Sequence, residues 1–158
     1  MENIIIYETN TFEVIAPKFP HIPREDGGHI IIRSKKKFFN SRLDFTSDEA
    51  IEMMRLSMIV GKAYMNALNI NGIKVERLNY QENGNWSYLE NTEPFFHLHI
   101  YGRTRTSKTQ RWGEALLFPD KRTSFYDGFS QVSTSDIEEI KKQISIIENE
   151  KKYNIKNW

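Results

Sequence analysis

The chain of 158 residues contains no cysteine, which excludes disulfide bonds, thiolate metal ligands and a cysteine nucleophile. It also has almost no net charge, because 22 Lys and Arg residues stand against 21 Asp and Glu residues and leave +1. No global positive field therefore attracts nucleic acid, which is not an expected partner. Long apolar runs are lacking too: Ile4-Ile5-Ile6 is far too short for a signal peptide or a membrane span. We expect a cytoplasmic protein with no membrane partner.

The composition suits a single folded domain. Apolar residues make up 39% of the chain and aromatic residues 13%, which is enough material for a hydrophobic core. One core typically serves roughly 100–200 residues, and a chain of this length removes about two thirds of its unfolded surface from water. No internal repeat or low-complexity linker divides the sequence. We predict one domain over residues 1–158, in which residues 104–158 are a C-terminal extension of undefined role.

Strands are predicted in four places. Two segments alternate apolar and polar residues, a third is a β-branched run that follows two glycines, and a fourth lies between Pro94 and Gly102. Each segment ends at proline, glycine or a polar loop. The predicted strands cover residues 11–16, 29–32, 73–80 and 95–101.

Two helices are predicted between and after these strands. The first begins at Thr46, which forms a capping box with Glu49, and ends at Asn71-Gly72. The second begins with a similar capping pattern at Ser135, and its buried face consists of Ile137, Ile140, Ile144 and Ile147. Strands and helices do not alternate as βαβ units, so the sequence predicts an α+β fold with an antiparallel sheet.

Two of the four histidines share one face of a predicted strand. His97 and His99 are two residues apart, so both imidazoles point to the same side of the sheet. An imidazole on a rigid strand can attack phosphorus, transfer a proton or bind a metal. A metal site needs a third ligand, for which His29, His21 or a carboxylate is available, although His21 lies between two prolines and is expected to be an exposed loop residue. A solvated sheet face without chemistry is the simpler alternative.

The residues around this pair resemble the histidine triad (HIT) superfamily, whose hallmark strand reads His-φ-His-φ-His-φ-φ with φ apolar. The same frame occurs in Asn91-Thr92-Glu93-Pro94-Phe95-Phe96-His97-Leu98-His99-Ile100-Tyr101-Gly102-Arg103. A second match runs from Gly28 to Lys36, a Gly-His pair followed by an apolar strand and a basic exit. The family offsets of Pro94 and Arg103 are kept when His97 is the middle triad member, so that Phe95 replaces the first histidine. The resemblance covers Phe12 to Arg103.

This resemblance implies a HIT-like antiparallel sheet and a role for each matching residue. His97 takes the position of the nucleophile, which attacks the α-phosphorus of a nucleotide and forms a nucleotidyl-histidine. His99 is the third triad member and donates a hydrogen bond to a phosphate or leaving-group oxygen. Thr92 contacts the phosphate or helps to protonate the leaving group. The residues at positions that the resemblance assigns to nucleotide or phosphate binding are His29, Asn79, Asn91 and Arg103. The scheme requires no metal and no cofactor.

Recognition of the ribose departs from the family pattern. The acidic residue that holds the ribose hydroxyls in many members falls near Pro17, and Glu25 and Asp26 are possible substitutes. The family's asparagine after the preceding strand corresponds to either Asn79 or Asn83.

The activity implied by the resemblance is that of a nucleotide hydrolase or nucleotidyl transferase. Its substrates would be dinucleoside polyphosphates or nucleoside phosphoramidates, and the protein would be a homodimer whose sheets join. Two alternatives stay open. One is a nucleotide-binding protein with little turnover, because Phe95 replaces a triad histidine. The other is a metal-dependent enzyme that uses His97 and His99.

Overall fold

The computed structural model describes residues 2–35 and 38–158, which form one five-stranded antiparallel sheet and two α-helices joined by loops and 3-10 turns. The sheet has the order β1-β2-β3-β5-β4. Its strands are β1 (Ile4–Glu8), β2 (Phe12–Ala16), β3 (His29–Ser34), β4 (Arg77–Glu82) and β5 (His97–Arg103). The helices are α1 (Ser47–Ile70) and α2 (Thr134–Ile147). The predicted α+β fold is confirmed, while Lys36, the last residue of the Gly-His motif, lies outside the described residues.

The sequence did not predict β1, an edge strand. Its run of three isoleucines lacks alternation, and its pairing with β2 shifts register between Ile5 and Tyr7, which breaks the two-residue period. β4 begins at Arg77 rather than at residue 73. The segment before it is held differently, since Glu76 N–H donates to the Arg103 carbonyl at 2.9 Å.

Helix α1 begins where the capping box predicted. Thr46 accepts a hydrogen bond from the Glu49 backbone, and the Glu49 carboxylate accepts from the Thr46 backbone, so two free N–H groups of the first turn are satisfied. At Gly61 the helix passes so close to the sheet that a Cβ would lie 1.9 Å from the Tyr80 hydroxyl. Within residues 2–35 and 38–158, no helix combines the length and the apolar character that crossing a membrane requires.

Helix α2 packs on α1 through its predicted apolar face, and all four isoleucines of that face are buried. The predicted start is wrong by two residues. The capping box joins Ser133 and Asp136, not Ser135 and Glu138, because the Asp136 carboxylate also accepts hydrogen bonds from Arg24 and Asn71 of other elements. A tertiary contact thus selects between two similar capping sequences.

The two faces of the sheet differ in chemistry. One face packs against the core that α1 completes, and its central side chains are fully or almost fully buried: Ile30, Ile32, Leu98 and Ile100. The opposite face carries His97 and His99 on β5. On neighbouring β3, Arg33 pairs with His97 and Ile31 pairs with His99. The strand period therefore delivers the imidazoles to the face away from the main core.

Residues 104–133 return across the histidine-bearing side of the molecule. Asp26, in the turn before β3, is buried, and its carboxylate accepts hydrogen bonds from the backbone N–H groups of Lys108 and Thr109 at 2.8–3.0 Å. Gln110 is also buried and bonds both the N–H and the carbonyl of Leu117. These contacts fix the loop so that the next residue, Phe118, reaches the histidine side of the sheet.

Candidate functional site

A cavity of about 500 Å³ opens on the sheet face that carries the histidines. This volume lies within the range of about 300–1,000 Å³ that is usual for small-molecule sites. The strands contribute His97, His99, Ile31 and Arg33, and the loops contribute His21, Asn83, Trp86, Thr92, Phe118 and Lys121. Sheet residues form the floor of the cavity and loop residues form its walls.

The ring of His97 is held in one tautomer by the backbone. Its Nδ1 lies 2.9 Å from the Phe95 carbonyl oxygen, which can only accept a hydrogen bond. Nδ1 must therefore carry the proton, and in the neutral ring Nε2 has the free lone pair. A nucleophilic histidine needs this arrangement, and it does not depend on the Phe95 side chain.

A series of hydrogen bonds holds the ring of His99 in the other tautomer, with the proton on Nε2. The backbone N–H of His21 donates to His29 Nδ1 at 3.1 Å, so the proton of neutral His29 is on Nε2. That nitrogen lies 2.8 Å from His99 Nδ1 and donates to it. The proton of neutral His99 is therefore on Nε2, where it can be donated to a ligand. His29, only 1% exposed, supports this orientation from behind.

The two rings on β5 are thus complementary. Their centroids are 4.5 Å apart with planes at 76°, and one presents a lone pair while the other presents an N–H. A nucleophile beside a donor aimed at developing negative charge is an arrangement suited to attack on phosphorus.

The imidazoles are kept neutral, mainly by burial. Burial lowers the pKa of His97, and the positive charge of Arg33 lowers it further, against the opposing effects of the Phe95 carbonyl and Glu82. Burial, together with the neighbouring imidazoles, lowers the pKa of His99 to about 2 and that of His29 well below 6.5. The hydrogen-bond chain is therefore made of neutral rings at physiological pH.

His21 is part of this cluster, and the prediction of an exposed loop residue is wrong. Its Nδ1 lies 2.8 Å from the Tyr101 hydroxyl, and its ring centroid is 4.8 Å from that of His29. Phe118 and Trp86 contact the same ring, with centroids 5.4 and 5.3 Å away. Burial lowers the pKa of His21 to about 4. The flanking prolines suggested a surface loop, but residues 104–133 fold over it.

The structure brings only some of the predicted site residues together. His97, His99 and Thr92 line the cavity, and His29 lies behind them. Asn91 is exposed, has a φ of 52° and is not among the lining residues. Asn83 lines the cavity and Asn79 does not.

Asn79 and Arg103 lie in a separate depression. There the guanidinium of Arg103 donates to Asn79 Oδ1 at 3.4 Å and to the carbonyls of Arg111 and Glu114 at 2.8 and 3.1 Å. These bonds engage Arg103 in holding the loop after β5. We therefore do not assign Arg103 or Asn79 to the histidine cavity.

Neither carboxylate considered for the ribose faces the cavity. Asp26 binds the loop at Lys108 and Thr109, and Glu25 accepts a hydrogen bond from Ser130 at 2.7 Å. Pro17 and His21 both line the cavity, and its carboxylates are those of Glu90 and Glu93 among the residues that the structure describes.

A possible metal-ligand cluster is formed by His21, His29 and His99, whose candidate ligand atoms lie within 4.8 Å of one another. It does not include His97, so it is not the His97–His99 site considered from the sequence. The hydrogen bonds of the cluster also oppose coordination. A metal on Nε2 of neutral His29 would require a proton on Nδ1, but Nδ1 already accepts the His21 N–H. The residues present do not fit a metal without movement of the loop that carries His21.

The fold is that of histidine triad proteins. A hypothetical histidine triad nucleotide-binding protein from Sulfolobus tokodaii strain 7 is 17% identical, with a TM-score of 0.58 over 94% of this chain and 87% of that one. A histidine triad protein from Bradyrhizobium japonicum is 16% identical, with a TM-score of 0.61 over 90% and 91%. A zinc-bound histidine triad family protein from Mycobacterium smegmatis is 17% identical, with a TM-score of 0.55 over 94% and 88%. No family model and no curated protein sequence matches this chain.

Proposed function

We propose that this chain is a functional histidine triad enzyme, a nucleotide hydrolase or nucleotidyl transferase that acts at the α-phosphate of its substrate through His97. The observation that carries the proposal is the complementary state of the two histidines on β5. His97 Nδ1 is bound to the Phe95 carbonyl, which leaves the Nε2 lone pair, while the His29–His99 hydrogen bond leaves an N–H on His99. The HIT-like fold and a cavity large enough for a small molecule support it.

In the first step, His97 Nε2 forms a bond to the α-phosphorus, and the bond between phosphorus and the leaving-group oxygen or nitrogen breaks. The leaving group takes the bonding electron pair and is protonated by the Thr92 hydroxyl or by water. His99 Nε2–H stabilises the negative charge on the phosphate oxygens. In the second step, the oxygen of a water molecule attacks the phosphorus and the P–N bond to His97 breaks, with its electron pair returning to Nε2. The proton that the water loses restores the Thr92 hydroxyl or passes to solvent, so that the nucleoside monophosphate is released and neutral His97 is regenerated.

Dinucleoside polyphosphates and nucleoside phosphoramidates are the substrate classes that we propose. Both have an α-phosphate joined to a nucleoside and a leaving group that departs after protonation. The predicted homodimer and cytoplasmic location belong to the same proposal and stay predictions.

The test is nucleoside monophosphate release from diadenosine polyphosphates and an adenosine phosphoramidate, with EDTA present, by the wild type and His97→Ala. We expect kcat/KM to fall by at least about 10³-fold in the variant. Its thermal unfolding should match the wild type, because the hydrogen bond of the His97 ring goes to the carbonyl of Phe95, a half-exposed residue just before β5. Brief incubation with a substrate labelled in the nucleotide should label the wild type alone, through a phosphoramidate bond that acid cleaves and base does not.

Equal release by the two proteins would contradict the proposal, because the nucleophile would lie elsewhere. Nucleotide binding without release by the wild type would instead favour a binding protein with little turnover. Activity that EDTA abolishes and zinc restores would favour the metal-dependent alternative.

A further inference from the structure

Arg33 lies directly opposite His97 in the sheet. It pairs with His97 in the antiparallel ladder between β3 and β5, two residues along each strand from the pair between Ile31 and His99. Directly opposed residues point to the same face with Cβ atoms about 4.5–5.5 Å apart. Both side chains accordingly line the histidine cavity. Arg33 and the ring to which we assign the nucleophilic attack therefore share one face of the sheet and one cavity.

The guanidinium is fixed at one of its nitrogens. Arg33 Nε donates to Glu13 Oε1 at 2.6 Å, and Glu13 is its cross-strand neighbour on β2. The two side chains are 35% and 12% exposed, so the acid is the more buried partner. Within residues 2–35 and 38–158, Nε is the only side-chain nitrogen of Arg33 with a hydrogen bond. The four N–H groups on its two Nη atoms stay available, and two of them form a fork that matches two phosphate oxygens.

Among the residues that the structure describes, Lys121 is the second cationic residue that lines the cavity, and it belongs to a loop rather than to the strands that carry the histidines. Lys121 belongs to the loop wall and pairs with Glu90, and both side chains are about half exposed, at 42% and 47%. Arg33 is on the sheet floor, and its charge acts on the His97 ring by lowering the pKa of that ring in addition to the larger effect of burial. The two groups are therefore close enough to interact electrostatically.

We propose that Arg33 is a further catalytic residue, whose Nη groups bind the non-bridging oxygens of the phosphate that His97 attacks. This assignment rests on the function proposed above. Arg33 transfers no proton, since a guanidinium stays charged. As the bond to His97 Nε2 forms and the leaving group departs, Arg33 holds the charged oxygens in place opposite the nucleophile. Glu13 on β2 positions the guanidinium by accepting a hydrogen bond from Arg33 Nε.

Equilibrium binding of AMP and of adenosine tests the phosphate contact without any turnover. Arg33→Met should weaken AMP binding by about 10- to 100-fold, which is the usual range for a lost hydrogen bond to a charged group. Adenosine has no phosphate, and its affinity should change by less than about twofold. A loss of affinity equal for both ligands, or for neither, would overturn the proposal.

Arg42→Met is the matched control. Arg42 also donates through Nε to a glutamate, Glu82, at 2.6 Å, but it does not line the cavity. AMP affinity should be unchanged in this variant. Arg33→Lys keeps a charge that can pair with Glu13, so it should remain folded and still lose part of the AMP affinity. Full affinity in a folded Arg33→Lys variant would show that the fork is not used and would overturn the proposal.

The pH dependence of kcat/KM provides a further test, because loss of a purely structural ion pair would not change it. Removal of the positive charge raises the pKa of His97, so the acid limb of the kcat/KM profile should move to higher pH in Arg33→Met, together with a fall of about 10²-fold or more at neutral pH. An unmoved limb with unchanged kcat/KM would overturn the catalytic role. A wild type that binds AMP through Arg33 but releases no nucleoside monophosphate would refute the proposed function and leave the phosphate contact intact, so the two failures can be told apart.

Discussion

Two buried polar clusters of this chain use their hydrogen bonds in different ways. One surrounds Asp136 at the start of α2, and the other is the histidine cluster on the sheet. Asp136 is fully buried, and both of its carboxylate oxygens accept hydrogen bonds from within the chain, from Arg24, Asn71 and Ser133. That network is closed. It joins the turn before β3, the end of α1 and the start of α2.

The histidine cluster is open at one side. The backbone N–H of His21 begins a series of hydrogen bonds that passes through His29 and ends at His99, whose remaining N–H has no acceptor among residues 2–35 and 38–158. His97 binds one carbonyl and keeps a lone pair. A closed network stabilises the fold, whereas a network that ends at a cavity presents reactive atoms there. This difference separates a structural polar cluster from the proposed functional one more clearly than burial does, since His29 and His99 are almost as buried as Asp136.

Loss of the closed network should cost the most stability. Asp136→Ala leaves the guanidinium of Arg24 and the N–H of Ser133 without their acceptor. We expect the free energy of unfolding to fall by about 3–5 kcal/mol, the usual result of removing one partner of a buried ion pair. Urea denaturation measures it. Nucleoside monophosphate release at a temperature where the variant is folded should be unchanged, since Asp136 does not line the cavity.

Asp120→Ala is the control, because Asp120 also pairs with an arginine, Arg122, but at the surface. Its effect should be far smaller. A loss of stability in Asp136→Ala no larger than that of the surface control would mean that the network around α2 adds nothing to the fold. The distinction between the two clusters would then fail.

The two clusters should also respond to acid in separate ranges of pH. The folded-state pKa of His21 is lowered to about 4 by burial, while the unfolded chain titrates at its ordinary value of about 6.5. Below pH 6.5 the unfolded state binds more protons, so stability falls as the pH drops towards 4. His21 alone accounts for about 2 kcal/mol by pH 5, and His29 and His99 act in the same direction.

Asp136 responds only at lower pH. Burial raises its pKa, but the hydrogen bonds from Arg24, Asn71 and Ser133 outweigh burial and hold that pKa at about 2. Its contribution is present above the unfolded pKa of about 4 and is lost as the pH falls towards 2. Urea midpoints measured from pH 7.5 to 5 should decline in the wild type and decline less in His21→Gln. A constant midpoint over this range would contradict neutral, buried imidazoles.

Strand period and short motifs were enough to predict the floor of the site. His97 and His99 share a face because strand side chains alternate. His21 was not predictable in this way. Its burial depends on residues 104–133, which Asp26 fixes through Lys108 and Thr109, more than 80 positions away in sequence. Local patterns contain no signal for such a contact.

Arg33 was missed for a different reason. Its strand, its face and its charge can all be read from the sequence, because it follows His29 and Ile31 at two-residue steps. What the sequence lacks is the register between β3 and β5, which decides whether Arg33 lies opposite His97 or two residues away. Arg103 shows the same dependence, since its family offset is kept and the carbonyls of the loop after β5 accept hydrogen bonds from its side chain. Pairing register and loop paths are set by tertiary contacts.

The smallest effect is expected where the histidine cluster departs most visibly from the family pattern. Phe95 replaces the first triad histidine, and its side chain is 45% exposed. The carbonyl of Phe95, not its side chain, accepts the hydrogen bond from His97 Nδ1. Phe95→Leu keeps that carbonyl and an apolar side chain of similar volume at the cavity edge, so kcat/KM should change by no more than about twofold. The acid limb of the pH profile should not move.

A tenfold loss of kcat/KM in Phe95→Leu would mean that the aromatic ring of Phe95 itself contributes to the reaction. That ring packs on His97 with centroids 4.8 Å apart and planes at 32°, so the same measurement in Phe95→Tyr, which keeps the ring, separates a stacking role from a backbone role. Activity retained in Phe95→Tyr and lost in Phe95→Leu would mean that side-chain packing orients His97. Activity retained in both variants would mean that the backbone alone orients the nucleophile. That result would explain why a phenylalanine is tolerated where the family has a histidine.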